Sequence, residues 1–304
     1  MAQHQRQIAS DMSWAVSYQE QCIIARKLSM LTCDEYLEDV FKHLRDIEAC
    51  LDIGNIATKT LPNASLISIQ PEVKWFMRPY LLDFLIELHA AFGLLPETLF
   101  LAVNLLDRYC SKQMIYRKYY QLVGCTALLI SAKYNDIKRQ VPTIHELNDA
   151  CDGLYDVGMF TQMELHILDT LDWMIGHPTA CFFSQIIVMA KQEREDREIE
   201  HMAAYVREIA LYHRDYVSIR PSVMAQASLT LAKTILSRIK IGNAEWNVAK
   251  YMLLSNHLRS PSSSLIRKYS TPALSQVSQK LASFLDEQAA INYRPYRGSE
   301  PVPE

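Results

Sequence analysis

Met77-Arg78-Pro79-Tyr80-Leu81-Leu82-Asp83-Phe84-Leu85-Ile86-Glu87-Leu88-His89 is the stretch on which the fold turns. Pro79 suits the first turn of a helix, where a missing N–H costs nothing. Leu81, Leu82, Leu85, Ile86 and Leu88 carry a broad apolar face. Gly93 ends this helix and Pro96 starts the next, Glu97–Cys110. A third spans Lys118–Lys133, where Gly124, Cys125, Thr126, Ala127, Ser131 and Ala132 lie among Leu and Ile. Small residues permit close approach, so this helix is expected to be central, with others around it. Pro142-Thr143 opens a short fourth helix to Ala150, with Thr143 and Glu146 spaced as a capping box. Gly158–Leu171 is the fifth, and His177-Pro178 stops the series.

The pattern then repeats. Thr179–Lys191 is apolar-periodic, Glu195–His213 is amphipathic, and Pro221–Arg238 is again rich in small residues. The run Ala225–Lys233 mirrors Cys125–Lys133, both ending Ala-Lys, which points to a duplicated five-helix unit. Ala244–Leu253 and Leu274–Ala289 would complete the second copy, joined by a serine-rich linker over Ser255–Thr271. Upstream, residues 34–51 place Tyr36, Leu37, Val40, Phe41, Leu44, Ile47 and Leu51 on one stripe of an amphipathic helix, and Gly54–Gln70 is expected to be a loop. The fold class is therefore all-α: tandem five-helix units preceded by an N-terminal helix.

Composition agrees. Of 304 residues 49% are hydrophobic and only 8 are glycine, few for an α/β protein with many tight turns. The net charge of −3 gives no basic excess for nucleic acid. The seven cysteines form no CxxC pair or zinc spacing, which predicts free thiols in a reducing, intracellular compartment. The N-terminus is polar, without a signal-type apolar stretch, and no run is long enough for a membrane span, so a soluble protein is expected. There is no GxSxG, phosphate loop, GxGxxG or HExxH, and His145, Glu146 and His166 stand alone. The expectation is a binding protein without catalytic residues, metal or other cofactor.

The 77–89 segment resembles the opening helix of the cyclin box. Glu97-Thr98-Leu99-Phe100-Leu101-Ala102-Val103-Asn104-Leu105-Leu106-Asp107-Arg108-Tyr109 resembles its second helix, and Tyr120–Cys125 with Ser131–Tyr134 its third. These motifs fall in order over Trp75–Thr179. Phe84, the run RPYLLDFLIELH, YQLVGC and GHPTA make the resemblance one to fungal G1 cyclins. The only RxxL, at Arg78–Leu81, lies inside the expected folded box, so turnover through a destruction box is not expected. The organisation this implies is a 1–74 extension, an N-terminal cyclin box over 75–178, a cyclin-like repeat over 179–290 and a tail over 291–304.

The resemblance implies a G1 or G1/S cyclin, the regulatory subunit of a cyclin-dependent kinase, present in nucleus and cytoplasm. It places Lys133, Tyr134, Glu164, Leu168, Trp173 and Ile175 on the kinase-binding surface; solvated charges and core packing are the bland alternatives. Arg78, Asp107 and Leu122 would stabilise the box, the first two as a bidentate, partly buried pair. Met77, Tyr80, Leu81, Phe84, Glu87, Tyr120 and Gln121 match a patch that docks Arg-x-Leu motifs of substrates or inhibitors, and simple core packing is the alternative there. Ser260-Pro261 and Thr271-Pro272 fit the minimal site of proline-directed kinases, with ubiquitin-ligase adaptors as further partners, or else each proline only breaks a helix. Neither nucleic acid nor membrane is expected as a partner. The rival readings are a transcription factor of the TFIIB kind, which would need a basic stripe, and a degenerate cyclin scaffold, which would lack the Lys133–Glu164 pair.

Overall fold

The prolines and small residues set the helix boundaries much as their chemistry dictates. The computed structural model describes residues 61–190, 196–236 and 256–292, together with Gln21, Ile23, Ile24, Asp39, Lys42 and Leu44. All regular structure among the described residues is helical. A short α1 (Ala64–Ser68) leads into α2 (Arg78–Ala91), α3 (Pro96–Lys112), α4 (Tyr120–Asn135), α5 (Ile144–Ala150) and α6 (Val157–Thr170). A second series follows: α7 (Ala180–Ala190), α8 (Arg197–Leu211), α9 (Pro221–Ile235), α10 (Ser263–Tyr269) and α11 (Val277–Asn292). Pro79, Pro96 and Pro221 each occupy a first-turn position, and Thr143 and Glu146 close the capping box.

Two segments differ from the sequence expectation. The loop expected over Gly54–Gln70 contains α1, because Asn63 Oδ1 accepts from Ser65 N at 2.9 Å and Leu66 N at 3.3 Å, and Ile67 is buried. The serine-rich linker contains a helix too. Ser262 caps α10 by accepting from Leu265 N at 3.2 Å, and Leu265 and Tyr269 are wholly buried. Here the serines are capping groups rather than signs of a loose chain. Among the described residues α10 is the fourth helix of the second series, of 7 residues like α5. The helix expected over Ala244–Leu253 lies outside the described residues. So does most of that over 34–51, of which Asp39, Lys42 and Leu44 are helical and Leu44 packs on the second core.

Each unit wraps a small-residue helix. In α4 every residue from Leu122 to Ala132 is buried, with α2, α3 and α6 packed around it. Gly124 permits the approach of α2, since a Cβ there would sit 2.9 Å from Leu81 Cδ1. In the second unit α9 packs against α7 and α8. The two cores are not separate by unit, however: Leu82, Ile86, Leu99 and Val103 of α2 and α3 belong to the second core. Polar contacts reinforce the joint. Tyr212 Oη donates to Asp83 Oδ1 at 2.7 Å, and Gln185 Nε2 to Glu97 Oε1 at 2.8 Å.

Candidate functional site

One outer face of the first unit is assembled from the end of α4, the length of α6 and the turn after it. Lys133 occupies the last turn of α4, where a cation is favoured by the helix dipole. Its Nζ donates to Glu164 Oε1 of α6 at 2.5 Å, with the lysine side chain 47% and the glutamate 17% exposed. Residues 31 apart in sequence thus meet at the surface. Around them Tyr134 is 57% exposed and Trp173 61% exposed, while Leu168 and Ile175 are half-buried against the first core. All six residues expected on this surface therefore belong to α4, α6 and the 171–176 turn.

The turn that presents Trp173 is held in an unusual conformation. Asp172 and Trp173 both have left-handed backbones, φ 55° and 57°, a state that costs non-glycine residues energy and persists where surroundings enforce it. Trp173 N donates to Leu168 O at 2.9 Å and Met174 N to Leu171 O at 3.1 Å. The indole Nε1 donates to Asp169 Oδ1 at 3.0 Å, which turns the ring outward. Gly176 lies under Tyr134, where a Cβ would meet the tyrosine hydroxyl at 2.8 Å.

Sequence reasoning missed the anchor of this turn. Arg108, 2% exposed, donates from Nη2 to Met174 O at 2.8 Å. Burial lowers its pKa to about 10, opposed by the charge of Asp172. The available signal was an Asp107-Arg108 pair of charges set between Leu105, Leu106 and Tyr109, Cys110, on a stretch otherwise apolar. Lys112 adds a second tie, donating to Thr170 O at 3.0 Å. Leu165, 53% exposed, and Ile137, 44% exposed, are two further apolar side chains of α6 and the turn after α4.

The residues expected to stabilise the box form a tighter joint than a partly buried pair. Arg78 Nη1 and Nη2 engage both carboxylate oxygens of Asp107, the second at 2.8 Å, with only 3% and 5% of the side chains exposed. Arg78 Nε donates to Leu211 O at 2.7 Å, the C-terminal end of α8 in the second unit. Asp107 raises the Arg78 pKa by charge and hydrogen bonding and outweighs burial, the largest single influence, which lowers it. Leu122 is buried in α4.

The residues matched to a docking patch divide. Tyr80 is 76% exposed, Met77, Phe84 and Gln121 are half-buried and Glu87 is exposed, but Leu81 and Tyr120 lie in the first core. Leu81 packs against Gly124 of α4 and Tyr120, in the first turn of α4, is only 9% exposed, so they offer little to a surface ligand. Glu87 already has partners in α10: Arg267 Nη2 at 2.8 Å and Ser264 Oγ at 3.0 Å. Ser260 is exposed. Thr271 is half-buried and donates to Lys268 O at 3.2 Å.

Among the described residues no helix is long and apolar enough to cross a membrane, and no group of His, Cys, Asp and Glu could hold a metal ion. The duplicated helical units thus gather charge and exposed aromatic side chains on one outer face of the first unit. The chain belongs to the cyclin family: the profile of the Cyclin, N-terminal domain matches residues 39–176 and that of the Cyclin, C-terminal domain residues 178–290. Its relatives include the G1/S-specific cyclin CCN1 of Candida albicans, 43% identical over 212 residues, covering 62% of this chain and 31% of that one. The G1/S-specific cyclin CLN3 of the same organism is 45% identical over 145 residues, 48% of this chain and 29% of that one. Cyclin puc1 of Schizosaccharomyces pombe is 38% identical over 176 residues, 58% and 46%. The chain spans less than half the length of these curated relatives. A viral cyclin from herpesvirus saimiri has the same fold, with TM-score 0.53 at 22% identity over 75% of this chain and 94% of that one.

Proposed function

We propose that the chain is the regulatory subunit of a cyclin-dependent kinase and promotes the G1/S transition, in nucleus and cytoplasm. The observation that carries this reading is the formed Lys133–Glu164 pair at 2.5 Å, framed by exposed Tyr134, Leu165 and Trp173. An ion pair this exposed contributes about 0–1 kcal/mol to the free chain. Redirecting it to a partner therefore costs little, and the two groups are already held side by side. Lys133 would donate to, and Glu164 accept from, main-chain groups of the kinase's regulatory helix. Charge-assisted hydrogen bonds of that kind are worth about 1.5–3 kcal/mol each. The aromatic and apolar residues around them supply the desolvated contact area typical of interface hot spots. Activation then follows from selecting the kinase conformation that this face fits, with no catalytic group from the cyclin.

The test is co-purification of the full chain with a cell-cycle kinase, followed by a phosphorylation assay. Lys133→Ala with Glu164→Ala is expected to weaken binding and activation at least tenfold while circular dichroism and thermal stability stay unchanged. A double variant that binds and activates like the parent overturns the reading.

A further inference from the structure

We propose that Cys125 and Cys151 form a thiol pair that hydrogen peroxide oxidises to an intrachain disulfide, joining α4 to the end of α5. The two sulfurs lie 3.5 Å apart, in van der Waals contact, although 26 residues separate them in sequence. Closing to the roughly 2.05 Å of a disulfide requires about 1.5 Å of movement. Both residues are in the first core. Their contact is held from both ends: Cys125 by the fully buried middle of α4, Cys151 by its N–H bonds to Leu147 O at 3.2 Å and Asn148 O at 3.0 Å. Tyr155 closes the far side, with its N–H on Asn148 Oδ1 at 3.1 Å and its hydroxyl on Lys118 O at 3.0 Å.

Access comes from the Cys151 side. The next residues, Asp152 and Gly153, have left-handed backbones at φ 55° and 68°, and residues 152–154 are exposed. Cys151 therefore sits one residue beneath a surface turn that ends a helix, the kind of segment that opens locally at low cost. The hydrogen bond between the thiols divides them: it draws the Cys151 thiol below its ordinary value, and with burial it pushes Cys125 up. Cys151 is thus the nucleophile and Cys125 the resolving thiol.

The chemistry balances without a cofactor. The Cys151 thiolate attacks one peroxide oxygen, the O–O bond breaks, and the departing hydroxide takes a proton to become water, leaving a sulfenic acid on Cys151. Cys125 Sγ then attacks that sulfur, gives up its proton, and the hydroxyl leaves as a second water. The two thiols are oxidised and one peroxide is reduced.

The experiment treats the intact chain with graded peroxide, follows near-UV circular dichroism to monitor folding, and maps peptides without reduction. The expected result is a Cys125–Cys151 linked peptide, about 2 Da lighter than its two components and reversed by dithiothreitol, with Tm raised by a few degrees. Cys125→Ala is expected to leave a dimedone-reactive sulfenic acid on Cys151, and Cys151→Ala to abolish both adduct and cross-link. The proposal is overturned if the link forms only after the near-UV signal is lost, if both thiols stay reduced in folded protein, or if Cys151→Ala leaves Cys125 equally oxidised. Should an alanine variant fail to fold, differential alkylation of the parent chain decides between the same outcomes.

Discussion

Arg78→Met tests whether the joint between the two units depends on one buried guanidinium. The substitution keeps a long unbranched stem but strands the Asp107 carboxylate, of whose side chain only 5% is exposed. Breaking a buried pair by removing one partner costs about 3–5 kcal/mol. The Leu211 carbonyl also loses a charge-assisted donor, worth about 1.5–3 kcal/mol. These terms overlap, so a net loss of about 4 kcal/mol is expected, a large share of the roughly 5–15 kcal/mol that holds a domain together. Urea unfolding followed by circular dichroism and tryptophan fluorescence reads it, since the guanidinium lies 5.6 Å from the Trp75 ring centroid. Adding Asp107→Leu removes the stranded charge and is expected to recover at least half of the loss. A cost under about 1 kcal/mol for the single variant, or a double variant no more stable than the single, refutes the reasoning.

Three further outcomes are expected. Gly124→Ala places a methyl 2.9 Å from Cδ1, 3.2 Å from Cδ2 and 3.3 Å from Cγ of Leu81, a side chain only 6% exposed. Overpacking of about 1–3 kcal/mol should exceed the helix-propensity gain of up to ~1 kcal/mol and lower the urea midpoint. Burial first, and the charge of Lys268 second, hold the His89 pKa at about 4 against an ordinary 6.5. The unfolded chain then binds the proton first, so stability is unaffected above pH 6.5 and falls by up to about 1.4 kcal/mol per unit between pH 6.5 and 4. His89→Gln, which keeps a donor for Leu95 O at 2.8 Å in the parent, should reduce that slope in a pH series of unfolding curves. Trp173→Gly relieves the left-handed backbone at φ 57° but removes the exposed indole, so Tm should hold or rise while kinase binding drops at least tenfold. Equal affinity of variant and parent would show that Trp173 lies outside the interface.

The sequence alone determined the helical class, the order of helices from α2 to α6 and the duplication. Those rest on local chemistry: proline at a first turn, a Thr143–Glu146 box, and small residues grouped in Cys125–Lys133 and again in Ala225–Lys233. Such features act over one or two turns and are readable wherever they occur. Serine content misled at α10, because a capping serine and a linker serine look alike until the partner N–H is known. What the tertiary structure decided is the geometry between distant residues, including pairs the family resemblance implied. It set Lys133 beside Glu164, buried Leu81 and Tyr120 while leaving Tyr80 outside, and gave Arg78 a second partner at Leu211. It also assigned Leu82 and Ile86 of the opening helix to the second core, so that the 77–89 stretch faces both units at once. A helix apolar over a broad arc is compatible with several neighbours. Only packing in three dimensions determines which neighbour each side receives.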